Sequence, residues 1–232
     1  FAESTRNVKP ELIASLGDEL YEALKACRTL EPLTNRHADI SIDDAYAIQD
    51  AIRRRKEARG NRTAGLKCGL TSFAKMKQMG VDTPVFGFVS DYMARPDGGQ
   101  IALSELIHPK IEAEICIVTK APLKGPGCHI ASVIAATDFV VPAVEVIDSR
   151  YRDFKFDLKS VIADNCSSTR FVLGGQLTPV AGLDLRTLGV VMEKNGEPVA
   201  IGAGAAVLGH PAAAIAALAN HLGARGEEIT AG

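Results

Sequence analysis

The sequence predicts an α+β protein: a small helical N-terminal region over residues 1–62, then a strand-rich core over residues 63–232. Three observations carry this reading. Helical periodicity dominates the first sixty residues. Short runs rich in β-branched residues, bounded by turn formers, dominate the remainder. Strands and helices do not alternate regularly, which argues against a doubly wound sheet. With 232 residues, 47% of them hydrophobic and 23% charged, the chain is long enough for a buried core.

The elements follow in order. From Pro10 to Leu30, the residues Leu12, Ile13, Leu16, Leu20, Ala23 and Leu24 fall near helical spacing. Ser41-Ile42-Asp43-Asp44 resembles a capping box and opens a second helix that runs through Arg53, Arg54, Arg55 and Lys56 to Gly60. Its basic end reads as a solvated terminus, where cations offset the helix dipole. Strands are expected at 64–71, 85–89, 101–103, 109–119, 139–147, 169–173 and 188–194. Asn195-Gly196 between two apolar runs predicts a two-residue hairpin. Short helices are expected at 72–79, 129–136 and 212–222, the last opened by Pro211. Ile229-Thr230-Ala231-Gly232 reads as the lead into another strand, so further C-terminal strands are expected beyond residue 232.

Composition bounds the function. A net charge of -2 gives no basis for nucleic acid or an anionic membrane as partner. No apolar run approaches the length of a membrane span. The five cysteines are odd in number, widely spaced and without a CxxC pair. They read as small core residues in a reducing compartment, and the cytoplasm is expected.

The stretch Ile111-Glu112-Ala113-Glu114-Ile115-Cys116-Ile117-Val118 is the most informative. In a strand, residues two apart share a face, so Glu112 and Glu114 lie together, with Ile111, Ala113, Ile115 and Ile117 opposite. Cys116 and Val118 continue the acidic face in apolar character, and both faces are expected to be buried. On a polar edge strand such acids would be a solvated face. Buried side by side, they need a cation between them. The apolar run Phe139 to Ile147 adds Glu145. Three carboxylates from two buried strands suit Mg²⁺ or Mn²⁺, hard ions that prefer oxygen donors. The sequence therefore reads as a metal-dependent enzyme.

In Gly65-Leu66-Lys67-Cys68-Gly69, a strand puts Lys67 between two glycines on one face, with space around its ammonium. Strand lysines are mostly solvated; over a metal and three carboxylates, this one could stabilise an enolate or carry a proton. Asp164-Asn165-Cys166-Ser167-Ser168 reads locally as a turn that stops a helix, and Ser167 or Ser168 could hydrogen-bond a substrate carboxylate. The five histidines show no ligand spacing, and there is no Gly-x-Ser-x-Gly elbow.

Four motifs together resemble a known family: Gly65-Leu66-Lys67-x-Gly69-Leu70-Thr71-Ser72, His108-Pro109-Lys110-Ile111-Glu112-Ala113-Glu114, Val144-Glu145-Val146-Ile147-Asp148-Ser149-Arg150 and Ala163-Asp164-Asn165-x-Ser167-Ser168. The chain is similar along essentially its whole length to the hydratase and decarboxylase branch of the fumarylacetoacetate hydrolase superfamily. The resemblance implies a rolled mixed β-sheet core. It implies Mg²⁺ or Mn²⁺ held by Glu112, Glu114 and Glu145, with Lys67 catalytic, and the expected substrate contacts are Leu70, Val85 and Ser167. It also implies a small keto-acid dicarboxylate as substrate, homo-oligomers and association with the pathway hydratase.

One position separates the sister activities. The hydratases of the branch typically carry an acid where this chain has Val85, in Thr83-Pro84-Val85-Phe86-Gly87. Water addition needs a base to position the water, whereas decarboxylation needs an electron sink and excluded water. A valine implies decarboxylation in the meta-cleavage degradation of aromatics. Hydration is the alternative, and a metal-binding scaffold for the hydratase is the non-enzymatic one.

Overall fold

The computed structural model describes residues 7–232; residues 1–6 of the expected helical region lie outside that part. Helix α1 (Pro10–Lys25) starts with proline in its first turn and buries Ile13, Leu16, Leu20, Tyr21 and Ala23. It ends before the expected Leu30, because Cys27 takes a left-handed φ of 47°. Helix α2 (Ile42–Glu57) opens on a complete capping box: the Ser41 hydroxyl accepts from Asp44 N, and the Asp44 carboxylate accepts from Ser41 N. The two helices meet where Gly17 lacks a side chain. A Cβ there would lie 2.8 Å from that of Ala51.

The expected solvated end of α2 is corrected at one residue. Lys56 is only 2% exposed. Its ammonium donates to the Tyr92 hydroxyl at 2.6 Å and lies over the Phe88 and Tyr92 rings. Helical phase explains this: Ile48, Ile52 and Lys56 are all buried, so Lys56 continues the apolar stripe that its neighbours Arg54 and Arg55 leave.

The strands are β1 (Thr63–Gly69), β2 (Val85–Ser90), β3 (Ala94–Arg95), β4 (Lys110–Thr119), β5 (Thr137–Ile147), β6 (Ser168–Leu173), β7 (Thr178–Pro179), β8 (Gly189–Lys194) and β9 (Glu197–Ala203). β1 pairs with β2, β8 pairs with β9, and the central sheet runs β3-β6-β5-β4 with β7 on β5. The strands close no barrel among the described residues. The β8–β9 hairpin turns on Asn195 and Gly196, both at positive φ (54° and 83°), as a mirror-image two-residue turn requires.

Three expectations change. Residues 101–103 form no strand. A 3₁₀ turn at Leu103–Glu105 stands there instead, since so short an apolar run finds no ladder and it is Leu106 that is buried. β4 is not buried on both faces: as the last strand of its sheet it leaves Ile111 54% exposed and Ala113 open. Length and apolar composition alone would let Gly204–Ala224 cross a membrane, contrary to the sequence reading. Within it, α6 (Pro211–Ala224) buries Ala212, Ala216 and Ala219 against Leu123, Val133 and Ala136.

Further helices are α3 (Phe73–Met79), α4 (Ile130–Ala136) and α5 (Leu158–Ala163). The sequence reading missed α5, a six-residue helix that Asp157 caps by accepting from the backbone of Lys159 and Ser160. The chain forms two compact units. One comprises the described residues up to Lys67, Val85–Glu112 and Glu145–Phe171; the other comprises Cys68–Pro84, Ala113–Val144 and Val172–Gly232.

Candidate metal centre and active site

Glu112 and Glu114 stand two apart on β4, and Glu145 lies on the neighbouring β5. One carboxylate oxygen from each of the three lies within 4.8 Å of the others, with Glu145 buried and the other two half-buried. The pleat does this: each acid points from the same side of its strand, and adjacent strands sit about 4.8 Å apart. Glu145 is asymmetric in its contacts. Its Oε2 meets Lys67 Nζ at 2.9 Å, while its buried Oε1 has no hydrogen-bond partner.

Lys67 reaches this carboxylate from β1. Far from standing in open space as its flanking glycines suggested, its side chain is 9% exposed, and Nζ also donates to the Cys166 carbonyl at 3.3 Å. Burial works against its charge, but Glu145 beside it, with Cys166 and Glu112 acting the same way, holds Lys67 above the ordinary lysine range. It is an ammonium at neutral pH. Cys166 is the reverse case: burial pushes its thiol up to about 12, against the pull of Lys67, so it is no nucleophile at neutral pH.

The segment after α5 adopts an unusual backbone. Asn165, Cys166 and Ser167 have φ of 51°, 52° and 60° in succession. Each non-glycine residue there costs about 1–2 kcal/mol, so the surroundings must hold the turn. Asn165 Oδ1 accepts from Phe88 N and its Nδ2 donates to Phe88 O, both at 2.9 Å. Gly87 leaves room, since a Cβ there would sit 2.8 Å from Asn165 Oδ1. Ser167 N donates to Asp164 O, and Asp148 N donates to Ser167 O.

Beneath the turn is a buried ion pair, Arg150 Nε with Asp164 Oδ1. Arg150 also donates to the Asp164 and Asp148 carbonyls and to the Thr169 hydroxyl. Burial raises the Asp164 carboxyl to about 6, with Arg150 pulling the other way. Asp148 in turn accepts from the backbone of Ile107 and His108, fixing the approach to β4. His108 is structural, as its Nε2 meets Ser149 O at 2.8 Å and its ring packs on Phe154.

Of the expected substrate contacts, Val85 is buried at the start of β2 and Leu70 is half-buried at φ 53° just after β1. Ser167 is buried in the left-handed turn, and its Oγ has no hydrogen-bond partner. Reasoning from sequence gave no role to Asn165, Gly87, Arg150 or Asp164. The first, third and fourth lay inside the quoted motifs; the spacing of Gly87 from Asn165 carried no signal.

No protein-family model matches the chain. It is 62% identical over 227 residues to the 4-oxalocrotonate decarboxylase of Pseudomonas sp. (strain CF600), covering 98% of this chain and 86% of that one. The solved structure of the 4-oxalocrotonate decarboxylase from Pseudomonas putida G7, complexed with magnesium and adipate, superposes with a TM-score of 0.96 at 58% identity. That match covers 98% of this chain and 87% of the other.

The chain belongs to the hydratase and decarboxylase branch of the fumarylacetoacetate hydrolase superfamily. Hydratases of the branch are also similar to it: the 2-hydroxypent-2,4-dienoate hydratase of Pseudomonas putida is 46% identical over 213 residues, 91% of this chain and 96% of that one. As a member of the fumarylacetoacetate hydrolase superfamily, the chain offers a donor set suited to a hard divalent ion. Three carboxylates converge, and one buried oxygen of Glu145 lacks any partner.

Proposed function

We propose that the chain is a Mg²⁺-dependent carboxy-lyase that converts 4-oxalocrotonate (2-oxo-3-hexenedioate) to 2-hydroxypenta-2,4-dienoate and CO₂. The observation that carries this is the 62% identity along 98% of the chain to a 4-oxalocrotonate decarboxylase. The clustered carboxylates of Glu112, Glu114 and Glu145 support it.

Those three residues would hold the ion. When bound, the ion supplies Lewis-acid stabilisation of negative charge on the substrate's 2-oxygen. Loss of CO₂ from the far end sends an electron pair through the conjugated chain to that oxygen. Lys67 Nζ, fixed by Glu145 and the Cys166 carbonyl, puts a second positive charge beside it or donates the proton that the 2-oxygen takes up to give the enol product. Ser167 Oγ, with no protein partner, is free to donate to a substrate carboxylate. Val85 and Leu70 supply apolar wall, and at Val85 no carboxylate is present to position water. CO₂ leaves uncharged, so the departing carboxylate needs no strong cation clamp, which would stabilise the ground state.

The product is the type of compound a 2-hydroxypentadienoate hydratase consumes, which supports association with such a hydratase, in a homo-oligomeric assembly in the cytoplasm. Hydration by this chain itself is the second reading, favoured by the 46% identity to a hydratase. Incubating the purified chain with 4-oxalocrotonate and with 2-hydroxypenta-2,4-dienoate, following CO₂ and ultraviolet absorbance, separates the readings. CO₂ release without hydration is expected. Hydration without CO₂ release overturns the proposal, and neither activity leaves a scaffold.

A further inference from the structure

The left-handed turn at 165–167 ties two parts of the proposed site to one side chain. Its middle carbonyl, that of Cys166, is one of two acceptors for Lys67 Nζ, and its last residue carries the unpartnered Ser167 hydroxyl. Three consecutive non-glycine residues at positive φ would relax elsewhere unless over-determined. One restraint is the Asn165 amide. It pairs with both the N–H and the C=O of Phe88, as a neighbouring strand would, and so locks the turn to β2. β2 is the strand paired with β1, and β1 carries Lys67. Gly87, next to Phe88, makes this contact possible: a Cβ there would meet Asn165 Oδ1 at 2.8 Å, Asn165 O at 3.2 Å and Lys67 Cγ at 3.2 Å.

We infer that Asn165 is a positioning residue for catalysis, its amide holding the turn that aims Lys67 and presents Ser167. Gly87 is the sterically obligatory counterpart of that amide. The inference rests on the reading of Lys67 and Ser167 as the groups that meet the substrate. The Asp164–Arg150 pair holds the turn through the Asp164 carbonyl, and Asn165 holds it to β2.

Two variants test this from opposite sides. Asn165→Gly tolerates the left-handed backbone but has no amide. Gly87→Ala keeps the amide but crowds it away from β2 and also presses on Lys67 Cγ, so Asn165→Gly, which leaves Lys67 uncrowded, is the deciding variant. In each, Mn²⁺ sites are counted and their affinity measured by electron paramagnetic resonance on the metal alone, and decarboxylation is expressed as kcat per Mn²⁺ site. In both variants, site number and affinity should match the wild type while kcat per site falls roughly 10- to 100-fold, the scale of an ångström-sized misplacement. KM should rise as Ser167 shifts. A purely structural role would lower the number of sites and leave kcat per site at the wild-type value, and that result in either variant overturns the inference. A wild-type chain that binds Mn²⁺ but releases no CO₂ fails the decarboxylase reading instead. The same per-site comparison is then made on hydration of the pentadienoate, with the same loss expected and the same overturning result.

Discussion

Glu145 gives one carboxylate oxygen to Lys67 at 2.9 Å and keeps the other buried with no partner. A carboxylate so divided is half neutralised by the chain and half reserved. The ammonium pairs with one oxygen, and the reserved oxygen can take an ion without breaking that pair.

This arrangement makes stability depend on metal once the lysine is gone. Lys67→Met removes one partner of a buried ion pair, at a cost of about 3–5 kcal/mol. In buffer with chelator, the thermal midpoint should drop well below wild type. Added Mg²⁺ should raise it by more than in the wild type, because the ion then supplies the missing charge and binds only the folded state. Equal midpoints in chelator would show that the pair contributes nothing.

Replacing Glu112 or Glu114 by Gln keeps the shape of the strand and removes one negative charge from the cluster. Mg²⁺ affinity should weaken at least about a hundredfold, more than is usual for residues outside the ligand set, and calorimetric titration reads this directly. Two single variants with wild-type affinity would remove these acids from the site.

Val85 is 3% exposed, so Val85→Asp buries a carboxylate and adds negative charge near the proposed reacting region. Decarboxylation should fall roughly thirtyfold, equivalent to about 2 kcal/mol in barrier. Slow hydration of 2-hydroxypenta-2,4-dienoate should emerge, the new acid acting as base. An unchanged decarboxylation rate would place Val85 away from the chemistry.

Lys56 gives a pH-dependent stability. Burial, reinforced by Arg150 and Arg170 and opposed by Asp164, lowers its pKa to about 7 from 10.5. Between those two values the unfolded chain binds more protons than the folded one, so this group makes stability rise with pH across the window. Below pH 7 its penalty is fully present. Lys56→Met removes it, so the variant's stability relative to wild type should be greatest near pH 6 and decline toward pH 10. At about 1.4 kcal/mol per pKa unit, the change amounts to several kcal/mol. Denaturant titrations at a series of pH values check it, and a difference that does not vary with pH would contradict it.

Much of the site was legible because its chemistry conflicts with its surroundings. Glu112, Glu114 and Glu145 stand out as charges in strand sequences, and period two alone places the first pair on one face. The Ser41–Asp44 cap and the Asn195-Gly196 hairpin were readable because each is fixed by adjacent residues. What stayed hidden depends on contacts far apart in sequence. Nothing near Lys56 announces the rings of Phe88 and Tyr92, and nothing near Gly87 announces Asn165, seventy-eight positions on. The exposure of Ile111 was missed because strand order in the sheet, and not the pattern within β4, decides which strand is last.

The β8–β9 turn carries a consequence of another kind. The dipeptide Asn195-Gly196 suits the hairpin because glycine offers no side chain and asparagine tolerates positive φ, and both residues are exposed. That unshielded glycine nitrogen is also what attacks the asparagine side-chain carbonyl, expelling ammonia to form a succinimide, which water opens to aspartate or isoaspartate. The hairpin therefore contains its own chemical clock. Stored protein should accumulate a more acidic species, and the isoaspartyl form, with an extra carbon in the main chain, would no longer fit a two-residue turn.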